Sequence, residues 1–454
     1  MDKKRPRVRK VVSLWDHKTD NRRDYERVDT APSAKAGSII FRRIMDAKDD
    51  KTLLSEELEI ESHSFKKFLG GVLRHYSPHQ FQAKTVKFYM PFKSFVWQWD
   101  KLVESCNPVD GDSESTKEAR EDMRDVLTLL EGSDALGSYF TSRTSDVAGG
   151  TISFDFIWTL FAPGTRIYAQ SFMGELQMFE VVTVVNLYDP GPAIPKGVDI
   201  VATAFDWDGT AFRPYIYQFS IPRWEGPRSI LSLPCFPVSV YNNFEDDGGS
   251  KLMDSLLARS HTFWRLCTEP IFQYEYTGSI LVIDKDKADM YLGPRDKKPP
   301  PKRALLDCSK VIVDNFSFMR SRRNPDSGSL PLGKRVAADM NVTCPCDWCR
   351  ETTARSWFRE LENPLNELDE KNENFVQSND RLLLCPPKVL GYSLQLKEWC
   401  QLAVEKVAPL SPAAVGSYGD YFDSRLEMEP RDKAMVKVLF PLPTSKFFPK
   451  LLLQ

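Results

Sequence analysis

The stretch from Thr151 to Val240 constrains the fold most, because it holds two pairs of apolar-alternating runs, each pair broken once by a residue doublet that demands a tight turn. RIYAQSF and LQMFEVVTVVNLY flank Met173-Gly174, and VDIVATAFDW and AFRPYIYQFSI flank Asp208-Gly209. A glycine-containing doublet between two such runs favours the positive backbone angles of a hairpin turn, so each pair predicts two antiparallel strands. In the second pair Tyr215, Tyr217, Phe219 and Ile221 recur at period two, the pattern of a sheet covered on one face. The expectation for this region is a small antiparallel barrel or sandwich of hairpins.

Helical signals flank it. Phe65, Phe68, Leu69, Val72, Leu73 and Tyr76 fall on one stripe, with Ser64 placed as its cap. TVKFYMPFKSFVWQWDKL predicts a strand running into a short helix that carries Phe92, Phe95, Val96 and Trp99. Ser115 and Glu118 form a capping box for a helix from Thr116 to about Glu131, and Leu252, Met253, Leu256, Leu257, Phe263 and Trp264 mark an inward face between Lys251 and Cys267. KVIVDNFSFM, Lys310 to Met319, predicts one more strand. The fold class expected is therefore α+β, an antiparallel β-rich core flanked by helices. Residues 1–60, charged and poor in periodic apolar positions, are expected to form a disordered tail whose opening MDKKRPRVRK also resembles a nuclear-import patch. The folded domain is expected over 61–440, with polar insertions near 284–303 and 320–381 and a divergent tail over 441–454.

Lys plus Arg (61) nearly balances Asp plus Glu (63), so no whole-chain field favours nucleic acid, and no specific nucleic-acid partner is expected. No apolar run approaches the ~20 residues a bilayer crossing needs, and the basic N-terminus lacks the apolar h-region of a secretory signal. Nine cysteines without regular spacing fit reduced thiols. The expectation is an intracellular protein, cytoplasmic or nuclear, with no membrane partner.

Three segments imitate chemical motifs. Asp206-Trp-Asp208-Gly-Thr210, after an apolar run, is similar to the first motif of haloacid-dehalogenase-type phosphatases, in which the first Asp attacks phosphorus and the second is the general acid. That chemistry also needs a downstream lysine and a magnesium-binding carboxylate pair, and Asp246-Asp247 follows too closely. Alternating residues after Thr210 favour a hairpin instead. Gly328-Ser-Leu-Pro-Leu-Gly333-Lys334-Arg335 has most of a phosphate-loop spacing, but Arg335 stands where a hydroxyl belongs and no buried strand precedes it, so a solvated basic loop is expected. Cys344, Cys346 and Cys349 lie within six residues, yet zinc prefers four ligands and only Cys308 or Cys385 could complete the set from afar. The histidines, His17, His63, His75, His79 and His261, neighbour no recognisable nucleophile. No catalytic residue, cofactor site or metal site is assigned.

HSFKKFLGGVLRHY, FYMPFKSFVWQWDKL and ISFDFIWTLFAPGTRIY, the last built on Phe154, Trp158, Phe161, Pro163 and Gly164, occur in that order. FDWDGTAF, IPRWEGPRSILSLPCFPV and LLARSHTFWRLCTEPIFQYEYTG follow, with Gly226, Leu233, Pro237 and Gly278. LLLCPPKVLGYSLQLKEW then carries Pro387, Gly391, Ser393, Leu394, Lys397 and Trp399, before YFDSRLEMEPRDKAMVKVL. Together, over about residues 60–440, these stretches resemble an uncharacterised domain that precedes the AAA+ ATPase core in many filamentous-fungal proteins. The resemblance implies a non-catalytic domain that recognises a protein partner or substrate for an AAA+ module; the alternative is an aspartate-nucleophile phosphatase using Asp206 and Asp208. Its motifs are turn and aromatic positions with no acid–base pair, and VLFPLPTSKFFPKLLLQ stands where a linker to the ATPase is expected. The chain is accordingly expected to be a truncated or stand-alone form without ATPase activity.

Overall fold

A computed structural model of the protein describes residues 8–25, 39–49, 51–73, 81, 83–185, 197–207, 209, 212–269, 273–283, 302–320, 334–335, 379–410, 429–432 and 434. Both expected insertions fall largely outside the described residues, as does the tail over 441–454.

The N-terminal part differs from the expectation. Strands β1 (Val8–Asp16), β2 (Asn21–Tyr25), β3 (Ile39–Asp46) and β4 (Leu53–Ile60), followed by helix α1 (His63–Val72) and strand β5 (Val86–Tyr89), build a five-stranded sheet in the order β2-β1-β3-β4-β5. The β1–β3 pair is parallel and the others antiparallel. One face buries Ile39, Phe41, Leu58, Ile60 and Val86. On the other, Arg42 is 5 % exposed and reaches Asp24 at 2.5 Å and Glu59 at 3.3 Å, Lys87 reaches Glu59 at 2.8 Å, and Arg22 reaches Glu57 at 2.9 Å. The charges that suggested a solvated tail over 1–60 are thus cross-strand partners over 8–25 and 39–60, and a sheet face can be charged when opposite signs face each other across the ladder.

Helices cover the apolar face: α1, then α2 (Lys93–Trp97), α3 (Trp99–Ser105), α4 (Glu114–Glu131) and α5 (Gly137–Ala148). The predicted stripe holds where it is described, with Phe65, Leu69 and Leu73 fully buried; Tyr76 lies outside the described residues. The caps sit two residues earlier than expected. Ser62, not Ser64, accepts from the Phe65 amide at 3.3 Å, and Ser113, not Ser115, accepts from the Thr116 amide at 3.3 Å, because these hydroxyls are three residues ahead of the amide they satisfy.

Strand β6 (Thr151–Ser153) leads into a 3-10 turn over Phe154–Leu160, whose Trp158 carbonyl accepts from the Trp97 indole at 2.9 Å and so ties this region to the helices. Next come β7 (Arg166–Phe172), β8 (Glu175–Val185), β9 (Gly197–Trp207), β10 (Phe212–Pro222), β11 (Pro227–Ser229) and β12 (Cys235–Pro237). Both hairpins form. Met173 and Gly174 carry φ of 50° and 87°, and Gly209, at φ 95°, lies in the loop between paired Trp207 and Phe212. A Cβ on Gly209 would stand 2.5 Å from the Phe316 Cα, so close approach as well as φ requires glycine there. The sheet is open and antiparallel, ordered β12-β7-β8-β9-β10 with a two-residue edge strand to come.

After α6 (Val238–Phe244) and α7 (Ser250–Thr268), strands β13 (Gln273–Val282) and β14 (Arg303–Val313) pair as a bulged hairpin. The expected strand over 310–319 ends at Val313 and turns into helix α8 (Asn315–Arg320), where Asp314 accepts the Ser317 amide at 2.8 Å. The edge strand β15 (Lys334–Arg335), helix α9 (Asn379–Leu382), and strands β16 (Lys388–Ser393), β17 (Glu398–Ala403) and β18 (Val407–Pro409) follow. Strands β14, β16, β17 and β13 pair in a ring, with β13 returning to β14, and close a four-stranded barrel around Tyr276, Ile280, Leu306, Val311, Cys400 and Leu402. The α+β class holds, but the barrel lies here and not in residues 151–240, where the hairpins stay open and stack on helices. Among the described residues no helix is long and apolar enough to cross a membrane.

If strands β3 and β4 belong to the core, Phe41→Ala and Leu58→Ala each lower unfolding free energy by about 2–5 kcal/mol in urea titration. Values near zero would return residues 39–60 to a solvated tail.

Candidate functional site

The sequence motif that invites chemistry is Asp206, the last inward position of β9. Val198, Ile200, Ala202, Ala204 and Asp206 are buried in alternation, so the strand's own period drives the carboxylate inward after four apolar residues. It is 2 % exposed, and its Oδ1 accepts from the Trp207 amide at 2.8 Å.

Three groups from other elements feel its charge. Lys388, first residue of β16 and 3 % exposed, is attracted by the Asp206 carboxylate; burial nonetheless pushes its ammonium down to about 8. Cys385, in the turn ahead of β16, and Cys267, near the end of α7, have thiols pushed well up by burial, with the Asp206 charge adding to the effect. A thiol shifted in this direction is a weaker nucleophile. Backbone contacts fix the junction: the Phe205 amide donates to the Leu384 carbonyl at 3.2 Å, and the buried Gln177 side chain donates to the same oxygen at 3.3 Å.

This arrangement is suited to joining strands. A phosphatase nucleophile of the kind the motif resembles sits at the carboxyl edge of a parallel sheet and touches phosphorus, whereas Asp206 is buried on a strand paired antiparallel with its neighbour. Asp208 and Thr210 lie outside the described residues. Asp247 is used to cap α7, accepting from the Gly249 and Lys251 amides at 3.0 and 3.3 Å. It also lines a cavity of about 210 Å³ together with Tyr241, Glu245, Asp246 and Leu252.

Of the phosphate-loop lookalike only Lys334 and Arg335 lie among the described residues. Lys334 and Arg335 pair antiparallel with Ile216 and Tyr215 as an edge strand, where a phosphate loop would open a helix. Cys344, Cys346 and Cys349 lie outside the described residues; of their remote candidates, Cys308 is exposed beside Thr277 and Cys385 is buried beside Asp206. Among the described residues no group of three or more His, Cys, Asp or Glu is placed to hold a metal ion. His17 lies 3.4 Å from Asp46 on the surface, His63 begins α1, His261 is exposed on α7, and His75 and His79 are outside the described residues. Sequence reasoning overlooked Lys388, although a lysine inside LLLCPPKVLGYS, an otherwise apolar run, signals a charge carried into the interior.

A family model described as a domain of unknown function (DUF7025) matches residues 142–242, from within α5 through the six-stranded sheet's hairpins and into α6. No curated protein and no solved structure matches the chain.

Removing one member of a buried charge pair strands the other, so Lys388→Met alone costs about 3–5 kcal/mol, while Asp206→Leu combined with Lys388→Met returns stability to within about 1 kcal/mol of the parent. Denaturant titrations of the four proteins measure this cycle; additive losses would show that the two side chains do not act together.

Proposed function

We propose that this chain is a non-catalytic recognition domain, binding a protein partner or substrate on behalf of an AAA+ module of the kind that follows the domain it resembles. The observation that carries the reading is the use made of its signature residues. Phe154, Trp158, Phe161 and Leu233 are buried core, and Gly164, Gly226 and Gly278 occupy positive-φ turns or a bulge. Ser393 ends β16 and accepts the Leu396 amide at 3.2 Å, and Trp399 packs edge-on to Tyr392 and Phe318. Residues of this kind specify a shape. Function then rests with the surface and not with a reactive centre.

The burial of Asp206 favours this reading over the aspartate-nucleophile alternative, since an attacking carboxylate must meet its substrate. Lys334 and Arg335 themselves run as an edge strand beside Ile216 and Tyr215, where a phosphate loop would have its lysine open a helix.

Two assays on the purified chain with magnesium test the proposal. ATP and a generic phosphomonoester are expected to turn over at the buffer rate. Phosphomonoester hydrolysis that disappears in Asp206→Asn, or ATP turnover that disappears in Lys334→Ala, would replace it with an enzyme. On the positive side, an AAA+ core from a protein carrying the resembled domain should bind the chain saturably in calorimetry, and absence of heat at micromolar concentrations would remove the AAA+ assignment.

A further inference from the structure

The six-stranded sheet ends in a strand whose outer edge is only partly used. All 11 residues of β10 pair with β9, yet on the far side only Tyr215 and Ile216 pair, with Arg335 and Lys334 of β15. Strand parity tells which backbone groups face outward. Pro214 stands opposite Phe205, whose amide leaves the ladder for the Leu384 carbonyl, so Pro214, Ile216, Gln218, Ser220 and Pro222 turn their backbone groups away from β9. The two prolines bring no donor, and Ile216 is taken by β15. Among the described residues no strand pairs with Gln218 or Ser220 on that side, and each backbone offers one donor and one acceptor.

Exposed sheet edges are ordinarily blunted by a charge, a proline or a bulge. Pro214 and Pro222 bound this one, but Gln218, Phe219, Ser220 and Ile221 carry no charge and follow β9 without a register shift. Their side chains define what fits beside them. Tyr217 and Phe219 each meet Phe179 edge-on at 5.0 Å on the core-facing side, and both stay half-buried at the sheet's margin, in line with buried Ile221. On the opposite side Gln218 is exposed and the Ser220 hydroxyl donates to Asp199 at 2.5 Å. A neighbouring strand therefore needs apolar side chains at alternate positions toward the core and polar ones outside. The β15 pairing shows the edge accepting an extended segment that is remote in sequence and runs antiparallel. We propose that the edge over residues 218–221, continuous with the β15 pairing, docks an extended segment of a partner protein, which adds to the sheet as an antiparallel strand. Main-chain hydrogen bonds then supply the hold and alternate side chains the selection. That the partner is a protein rests on the recognition reading above; the edge specifies the form in which it is held.

Hydrogen exchange of the Gln218 and Ser220 amides in the full chain reads the edge directly, with a synthetic peptide of alternating valine and threonine, ended by lysines, as the probe. Both amides are expected to exchange near the intrinsic rate in the chain alone and about tenfold or more slowly with saturating peptide, while the Phe219 amide, turned toward β9, stays protected throughout. Gln218→Pro and Ser220→Pro place a proline at the parity Pro214 and Pro222 already occupy, and each is expected to weaken peptide binding about tenfold. The same peptide methylated on its backbone nitrogens is expected to lose binding to the parent, and it decides the matter should the proline variants fail to fold. Amides already slow in the chain alone would show an edge closed by the chain itself or by a second copy and would overturn the proposal. Amides left unchanged by millimolar peptide, or equal binding of the methylated peptide, would overturn it too. The AAA+ core named above separates the two readings. Heat from that core that saturating peptide does not diminish keeps partner recognition and removes the edge as its site, whereas peptide docking without heat from the core keeps the edge and removes the AAA+ assignment.

Discussion

The structure is organised around a lysine and an aspartate that are each buried where the six-stranded sheet and the barrel join. Asp206 ends the inward stripe of β9 and Lys388 begins β16, so a carboxylate of the central sheet and an ammonium of the barrel are both buried, and the carboxylate's charge favours the protonated lysine. Two charges in low dielectric seldom add net stability, but they penalise every arrangement in which they part. Apolar surfaces could slide over one another at this seam. The Phe205 amide and the Gln177 side chain converge on the Leu384 carbonyl and hold the segment ahead of β16 in one register on the sheet.

The same logic, repeated at the surface, explains the N-terminal sheet. Arg42 sits between Asp24 and Glu59, and Glu59 also takes Lys87, so the polar face of that sheet is knitted across its strands while Phe41 and Leu58 enter the helical core from the other side. Trp97 and Trp158 carry the connection onward, their rings 6.0 Å apart and the Trp97 indole bonded to the Trp158 carbonyl. The matched domain of unknown function begins just before this contact, and its hairpins rest on the helices that cover the first sheet.

What could be read from the residues depended on how local the determining physics was. The hairpins at Met173-Gly174 and Asp208-Gly209 were legible because turn geometry and alternation are set within a few residues. The stripe of α1 was legible for the same reason, and its cap was displaced only because Ser62 and Ser64 are equally good acceptors separated by one residue. The strands over 8–25 and 39–60 were not legible, since the partners that make Arg42 or Glu59 compatible with a sheet face lie on other strands. The barrel was hidden too: β13 and β14 meet β16 and β17 only across about a hundred residues of chain, and long-range closure leaves no local mark. Of the candidate site, Asp206 was visible as half of a motif, whereas its neighbours Lys388, Cys267 and Cys385 are gathered from three other elements by the fold alone.

The account stands on Lys388 being desolvated and held by Asp206, and the direct measurement is the titration of its side-chain nitrogen by heteronuclear NMR in the intact protein. Proton loss near 8, moving lower when Asp206 is replaced by Asn, is the predicted result. A side chain that titrates like a hydrated lysine and ignores the Asp206 substitution would contradict it, and would leave the sheet and barrel without the charge pair that joins them.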